Sequence, residues 1–340
     1  MSSVPDSVVD ETARIYRSFA HYQARDVSPI YEDWADGVAG DPVLLDRLAN
    51  LSADKRQPNL LFAAARHLGC TAVSAADLRP WLISHWDSVT TVMLSHATQT
   101  NEASRCATLL PALTQIPGPL ALIEVGASAG LCLSPDRYSY DYRTSTGVVR
   151  VDPSGGPSSV VLPCTISGAP VPDSVPEVVW RAGLDLNPLD VTSESDMRWL
   201  ESLIWPEHEA RRRRLRAAAE IVAAEPPRIV TGDLLTDLDS LIAEAPAEAT
   251  VVVFHSAVLA YVNAESRRRF ADSMAAQPSM VWISNEGAGA FPEFDEPIAK
   301  QAKGRFVLTV DGTPVAYTGP HGQSFAGIPR TSSQPDDESE

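Results

Sequence analysis

A loop of small residues follows a short apolar segment and is the first place in the chain where ligand chemistry is indicated. The segment 120–125 has the length of a buried strand and carries one acid, Glu124. The loop behind it contains Gly126, Ala127, Ser128 and Gly130. Small side chains let a backbone approach a ligand closely, and N–H groups at a helix start bind carboxylates or phosphates. A purely structural turn would use the same residues, so both interpretations stay open.

Further acids stand behind predicted strands later in the chain. Asp185 follows one apolar segment, and Asp233 with Leu234 follows the next. Ligands of open α/β sheets bind at the carboxyl ends of the strands, and a carboxylate is a natural acceptor for two neighbouring hydroxyl groups. Asp141 is nearer to the loop in the sequence than Asp185 is. It is therefore the alternative to Asp185 as the acid that accepts such hydroxyl groups.

A histidine and a glutamate hold equivalent positions behind the next two predicted strands. His255 is a candidate general base for a hydroxyl or amine substrate, and Glu286 is a candidate for the same role. The alternative is that both are hydrogen-bonded core residues without a catalytic function.

The stretch 98–105, just before the first predicted strand, is unusually polar. Its Asn101, Glu102 and Arg105 are candidates for binding a cofactor or substrate; the alternative is a polar helix start with a capping side chain. Tyr140 belongs to three alternating tyrosines on one strand face. It is predicted to line a substrate pocket, although packing within a sheet explains it equally well.

The segment 122–130 resembles motif I of class I S-adenosylmethionine-dependent methyltransferases, in which an acid is followed by alternating glycines. Glu124, Gly126 and Gly130 match that pattern, and Ser128 replaces its middle glycine. In that family the loop contacts the methionine end of the cofactor.

Later segments resemble the remaining motifs of this family in the same order. The resemblance implies that Asp185 binds the ribose hydroxyls and that Asp233 accepts a hydrogen bond from the adenine amino group. Asp185 lies 55 residues after Gly130, an interval longer than is usual in the family, and a predicted insertion explains it. The resemblance covers about residues 98–325, and the whole chain also resembles a bacterial methyltransferase-like family of unknown function.

The predicted function is therefore S-adenosylmethionine-dependent methylation of a small molecule, with S-adenosyl-L-methionine as cofactor. One alternative is a protein that binds this cofactor without catalysis or uses it for cyclase or lyase chemistry. Another is an NAD(P)-dependent oxidoreductase, whose G-x-G-x-x-G pattern is not reproduced because Ser128 holds the second glycine position.

The elements that must position these residues change in type along the chain. Helical patterns fill the first part, and strand-length apolar runs then alternate with helices, which predicts an α/β, Rossmann-like, mostly parallel sheet closed by an antiparallel hairpin. The predicted regions are a helical cap region at 1–115, the Rossmann-like domain at 116–330 with a small β insertion at 131–176, and a disordered acidic tail at 331–340. The cap region is expected to cover the ligand edge of the sheet; the alternative is a separate domain that recruits a partner.

Composition narrows the functional classes further. The net charge of −17 makes nucleic acid a poor partner, and the dense basic run 211–214 is expected to be a solvated helix face. No segment has the length of a membrane span or the pattern of a secretory signal, so the chain is expected to be cytoplasmic, with no membrane partner. The cysteines show no metal-site spacing and are expected to be reduced and mostly buried, no metal is predicted, and the oligomeric state stays unknown.

Overall fold

The computed structural model describes residues 6–99, 101–290 and 296–329. The chain divides into two compact units, a helical unit at 1–100 and 192–213 and a sheet unit at 101–191 and 214–340. The described helices are α1 Asp6–Phe19, α2 Pro29–Ala39, α3 Pro42–Ala49, α4 Pro58–His67, α5 Ala75–Ser95, α6 Cys106–Leu113, α7 Glu194–Leu203, α8 Glu209–Ala224, α9 Leu238–Ile242, α10 Ala264–Ala275 and α11 Glu296–Ala302.

Capping side chains mark the beginning of several helices of the helical unit. Asp41 precedes α3, and its Oδ1 accepts hydrogen bonds from the N–H groups of Val43 and Leu44. Pro42 then occupies the first helical position, where its missing N–H has no cost. The side chains of Ser28 and Ser74 likewise cap α2 and α5, each by accepting a hydrogen bond from a backbone N–H of the first turn.

The sheet unit is built on one mixed sheet. Its strands are β1 Leu120–Val125, β2 Ser139–Thr144, β3 Gly147–Val151, β4 Val161–Ser167, β5 Val178–Asp185, β6 Arg228–Thr231, β7 Thr250–Ser256, β8 Val281–Gly287, β9 Phe306–Val310, β10 Thr313–Thr318 and β11 Ser324–Gly327. Their order across the sheet is β3-β2-β4-β11-β10-β9-β8-β7-β1-β5-β6. The α/β class and the mostly parallel sheet expected from the sequence are confirmed.

The central strands are parallel neighbours. β1 pairs with β5 on one side and with β7 on the other, and β6 and β8 continue the two sides. All six residues of β1 are buried, as expected for a strand covered on both faces. The chain thus passes from β1 to one side of the sheet and then returns to the other side, which creates a switch point between β1 and β7.

The predicted hairpin forms from β9 and β10, but the expectation that it closes the sheet is wrong. β11 pairs antiparallel with β10 and parallel with β4, so the β insertion joins the main sheet. β2 and β3 then extend the sheet to its far edge. The four residues of β11 are too short a segment to show an alternating pattern in the sequence.

Several expectations from composition can be compared with the described residues. All four cysteines are buried free thiols, as predicted. No described helix is long and apolar enough to cross a membrane, and the described residues contain no cluster of ligands for a metal ion. The predicted disordered tail at 331–340 lies outside the described residues.

Candidate functional site

The carboxyl ends of the five central parallel strands meet at one edge of the sheet unit. Open α/β sheets bind ligands at this edge, beside the strand where the order reverses. The loop that leaves β1 has three residues with positive φ, at +74° for Gly126, +51° for Ser128 and +72° for Gly130. A non-glycine residue at positive φ is uncommon, so Ser128 marks a conformation that the surroundings impose.

The N–H groups of this loop are bound within the protein. Those of Gly126 and Ala127 donate to the carbonyl oxygen of Leu184 at 2.7 and 3.2 Å, and that of Gly130 donates to Ala127 at 2.7 Å. The N–H of Ser128 donates to Asp185 Oδ2 at 2.7 Å. The sequence-based idea that these groups are held open for an anion is therefore wrong for these four positions.

Packing also requires the glycines of the loop. A Cβ on Gly126 would lie 2.3 Å from Val258 Cγ2, and a Cβ on Gly130 would lie 2.9 Å from Pro227 Cγ. Substitution of either glycine would therefore disturb the fold before it disturbed a ligand.

Asp185 is the last residue of β5 and adjoins the loop. Its Oδ2 accepts the Ser128 N–H, and its Oδ1 accepts the N–H of Asn187 at 2.8 Å. Asp141 is on β2, seven strand positions from β1 in the sheet order, and its Oδ1 forms an ion pair with Arg150 Nη1 at 2.7 Å. The structure thus brings Asp185, and not Asp141, beside the loop.

Glu124 is the buried acid of the site. It lies one residue before the end of β1, opposite Gly183 on β5 and Phe254 on β7. Its Oε2 is buried and has no hydrogen-bond partner among the described residues. Burial raises the pKa of this carboxyl group well above the ordinary value, although the charge of Arg105 acts in the opposite direction.

The polar stretch before β1 is largely buried. Arg105, in the short 3₁₀ segment Ala103–Arg105, donates from Nη1 to the carbonyl of Ser256 at 2.8 Å and from Nε to that of Pro320 at 3.0 Å. Burial lowers the pKa of this guanidinium group, but an arginine side chain remains charged. The stretch also contains two buried polar atoms without a partner, Asn101 Nδ2 and Ser104 Oγ.

Glu102 forms an ion pair with Arg214, one arginine of the basic run 211–214, within the sheet unit. Its Oε1 accepts from Arg214 Nε at 3.1 Å, and the two side chains are 5% and 18% exposed. It also accepts from the N–H of Ser104. The expectation of a solvated basic face is therefore wrong for Arg214. Glu102 is a partner of a structural ion pair.

His255 and Glu286 form a closed hydrogen-bond cluster on the opposite face of the sheet from Glu124. His255 is fully buried, and its Nδ1 lies 2.7 Å from Glu286 Oε1. Its Nε2 accepts the indole N–H of Trp282 at 3.1 Å. Because an indole can only donate, both ring nitrogens are occupied. The same Glu286 oxygen accepts the N–H of Val258 at 2.9 Å. The structure therefore supports the core alternative for both residues.

The remaining predicted residues have local roles. Asp233 is exposed behind β6, and its Oδ1 accepts the N–H of Leu235 at 2.8 Å within its own turn. Leu234 packs partly against the hydrophobic core. Tyr140 is fully buried, and its hydroxyl donates to the carbonyl of Pro135. This places Tyr140 in the packing of the β insertion and not at an open surface.

Sequence reasoning missed two exposed apolar residues at the same sheet edge. Leu186 follows Asp185 directly and is 73% exposed, and Tyr261, in the turn after β7, is 69% exposed. Both loops flank the loop after β1, since β5 and β7 are its neighbours. The position of Leu186 behind a strand was visible in the sequence, but its exposure was not.

Comparison with known proteins gives a family and no relative of known activity. No curated protein and no solved structure matches the chain. The family model described as "Uncharacterized protein conserved in bacteria (DUF2332)" matches residues 13–326. This match covers most of the chain, including all predicted site residues, and the chain therefore belongs to this family of uncharacterized bacterial proteins.

Proposed function

We propose that the sheet unit binds S-adenosylmethionine at the carboxyl edge of β1 and β5 and that the protein transfers its methyl group to a small molecule. The strand order supports this proposal. Numbered along the chain, the five central parallel strands follow the order 3-2-1-4-5, which agrees with five of the six positions of the Rossmann arrangement. The proposed ligand crevice begins at β1, beside the switch point between β1 and β7.

The observation that carries the proposal is the unpaired, buried Oε2 of Glu124. A buried carboxyl oxygen without a partner is unfavourable unless a ligand supplies one. The ammonium group at the methionine end of the cofactor is such a donor, and its positive charge favours ionisation of the Glu124 carboxyl group when the ligand binds. The cofactor's carboxylate needs donors in turn, and Asn101 Nδ2 and Ser104 Oγ are unpaired donors in the adjacent stretch.

Asp185 is the proposed ribose-binding acid. Each of its oxygens accepts one N–H, which fixes the carboxylate in place and leaves further lone pairs for hydroxyl donors. Asp233, Leu234 and the exposed Leu186 are proposed to lie on the adenine side, because β6 is the strand beyond β5.

The occupied N–H groups of the loop argue against a dinucleotide cofactor. A pyrophosphate in a Rossmann crevice accepts hydrogen bonds from such groups, and four of them are already bound within the protein. S-adenosylmethionine carries no phosphate and does not need them. The NAD(P) alternative is therefore disfavoured on this observation.

The site supports catalysis by positioning. The sulfonium centre supplies its own leaving group, so the protein has to align the acceptor with the methyl group. His255 is not part of this proposal as a general base, because both of its ring nitrogens are hydrogen-bonded within the protein. That the helical region 1–115 covers this edge stays a prediction.

Calorimetric titration of the full chain with S-adenosylmethionine, S-adenosylhomocysteine and NADH tests the proposal. We expect saturable binding of the first two compounds and none of NADH. A screen of small acceptors with methyl-labelled cofactor then separates a transferase from a protein that only binds. Binding of NADH alone, or of no compound, would overturn the cofactor assignment.

A further inference from the structure

Arg105 is a buried arginine of the sheet unit that forms no ion pair with a carboxylate of the described residues. Its Nη1 donates to the carbonyl of Ser256 at 2.8 Å and its Nε donates to that of Pro320 at 3.0 Å, and both acceptors are uncharged. Its Nη2 makes no hydrogen bond to a described residue. An arginine keeps its positive charge when it is buried, and a buried charge is costly unless an opposite charge pairs with it.

Two other arginines of the sheet unit show the usual arrangement. Arg181 is bidentate on Asp136, with distances of 2.9 and 3.1 Å from Nη1 and Nη2 to the two carboxylate oxygens. Arg214 pairs with Glu102 at 3.1 Å. The fold therefore supplies a carboxylate to each of these two arginines, and it supplies only neutral carbonyl groups to Arg105.

The carboxyl groups that act on Arg105 through space do not replace an ion pair. Glu102, Glu124 and Glu286 each interact with it electrostatically. Glu102 is already ion-paired, and Glu286 is bound to His255 on the opposite face of the sheet. Burial raises the pKa of Glu124, which favours its protonated form. A ligand group with its own negative charge is therefore favoured beside Arg105.

Ser256 supplies a hydrogen-bond donor at the same place, the carboxyl end of β7. Ser256 and Asn285 are register partners on the face of the sheet that carries Glu124, whose own partner on β7 is Phe254. Thr318 Oγ1 donates to Asn285 Oδ1, and Asn285 Nδ2 donates to Ser256 Oγ at 3.1 Å. This chain of hydrogen bonds runs in one direction and ends at the Ser256 hydroxyl, whose own proton has no acceptor among the residues that the structure describes.

We propose that Arg105 and Ser256 bind a carboxylate group of the methyl acceptor, which is therefore a small organic acid. The guanidinium group supplies the positive charge, the serine hydroxyl supplies a further donor, and charge-assisted hydrogen bonds of this kind are strong. The position favours the acceptor over the cofactor, because β7 lies on the other side of β1 from β5 and β6, where the ribose and the adenine are proposed to bind. The assignment to the acceptor rests on the proposed function, whereas the carboxylate site itself does not.

Titration of the full chain with acetate and with acetamide, followed by NMR, tests this proposal with a small carboxylate and its uncharged counterpart. The titration is made with the protein saturated with S-adenosylhomocysteine and again without that ligand. We expect saturable binding of acetate in both states, and binding of acetamide that is weaker by about tenfold or more because acetamide carries no charge. Equal binding of the two probes, or no saturable binding of acetate, would overturn the proposal.

Ser256→Ala is the informative variant, because it removes the hydroxyl donor and keeps the backbone carbonyl that Arg105 binds. It should weaken acetate binding by about fivefold. The matched control is Ser284→Ala, which removes a buried hydroxyl from the next strand on the opposite face of the sheet and should leave acetate affinity unchanged. Arg105→Gln, checked for folding by thermal unfolding, should abolish saturable acetate binding. Equal acetate affinity in the two serine variants would contradict the proposed site.

The affinity for S-adenosylhomocysteine separates the two sources of a carboxylate at this place. If the acceptor supplies it, Ser256→Ala binds S-adenosylhomocysteine as tightly as the wild type does, and acetate still binds to the saturated protein. Weaker S-adenosylhomocysteine binding in Ser256→Ala, with acetate bound only in its absence, would show that the cofactor's own carboxylate occupies the site and would overturn the assignment to the acceptor. Failure of S-adenosylhomocysteine to bind at all would contradict the proposed function and the acceptor with it, whereas acetate binding to the unliganded protein would still decide the carboxylate site.

Discussion

Glu124 and Glu286 are two buried glutamates near the carboxyl ends of parallel strands in one sheet, on opposite faces, and they differ in their hydrogen bonds. Glu286 accepts hydrogen bonds from His255 and from the backbone of Val258. Glu124 has a buried oxygen that accepts none. Each is the last residue but one of its strand, so position along the strand alone does not separate a structural acid from a ligand-binding acid. The difference in hydrogen bonding does.

The largest effect expected from this comparison is on stability at Glu286. Glu286→Ala removes the acceptor of two buried donors, His255 Nδ1 and Val258 N. We expect the free energy of unfolding in urea to fall by about 2–6 kcal/mol, since each of the two unpaired buried donors costs about 1–3 kcal/mol. Glu124→Gln, which removes no such bond at Oε2, should leave the free energy equal or higher. A larger loss in Glu124→Gln than in Glu286→Ala would contradict the comparison.

The next effect concerns ligand affinity at Asp185. Asp185→Asn replaces one acceptor oxygen by an N–H donor and should weaken binding of S-adenosylhomocysteine by about tenfold, or ~1.4 kcal/mol. Calorimetric titration measures this change. The matched control is Asp141→Asn, whose parent carboxylate pairs with Arg150 on the far part of the sheet. If Asp141→Asn lost affinity and Asp185→Asn did not, the ribose assignment would move to the β insertion.

A smaller effect is expected in the pH dependence of stability. Burial raises the pKa of Glu124 above its ordinary 4.5, so the folded protein retains a proton that the unfolded chain has released. The stability from this proton is complete below pH 4.5 and is lost as the pH rises toward the raised pKa. The Glu124→Gln variant has no ionisable group at this position, so its stability does not fall with rising pH for this reason. We therefore expect its stability relative to the wild type to increase between pH 5 and pH 8. Urea unfolding at several pH values measures this difference, and a constant difference would mean that Glu124 is ionised throughout.

The sequence predicted where the acids lie but not what surrounds them. Strand-length apolar runs were sufficient to place Glu124 and Asp185 at the edge of a parallel sheet, because strand and loop patterns are local properties. The hydrogen bonds of the two His255 nitrogens depend on Trp282 and Glu286, which are 27 and 31 residues away in the chain and on the next strand. Such contacts arise from tertiary packing and have no local signature.

The glycine loop shows the same limit. Its small residues were apparent, but two reasons for them were not: Val258 fills the space beside Gly126, and Leu184 takes the first N–H groups of the loop. The joining of the β insertion to the main sheet was missed for a related reason, since it depends on the four residues of β11.

A crystal structure of the protein with S-adenosylhomocysteine tests the central claim most directly. The account predicts the ligand at the carboxyl edge of β1, with its amino nitrogen within hydrogen-bond distance of Glu124 Oε2 and its ribose hydroxyls at Asp185. A ligand bound at another place, or a ligand at this edge with Glu124 Oε2 still unpaired, would contradict it.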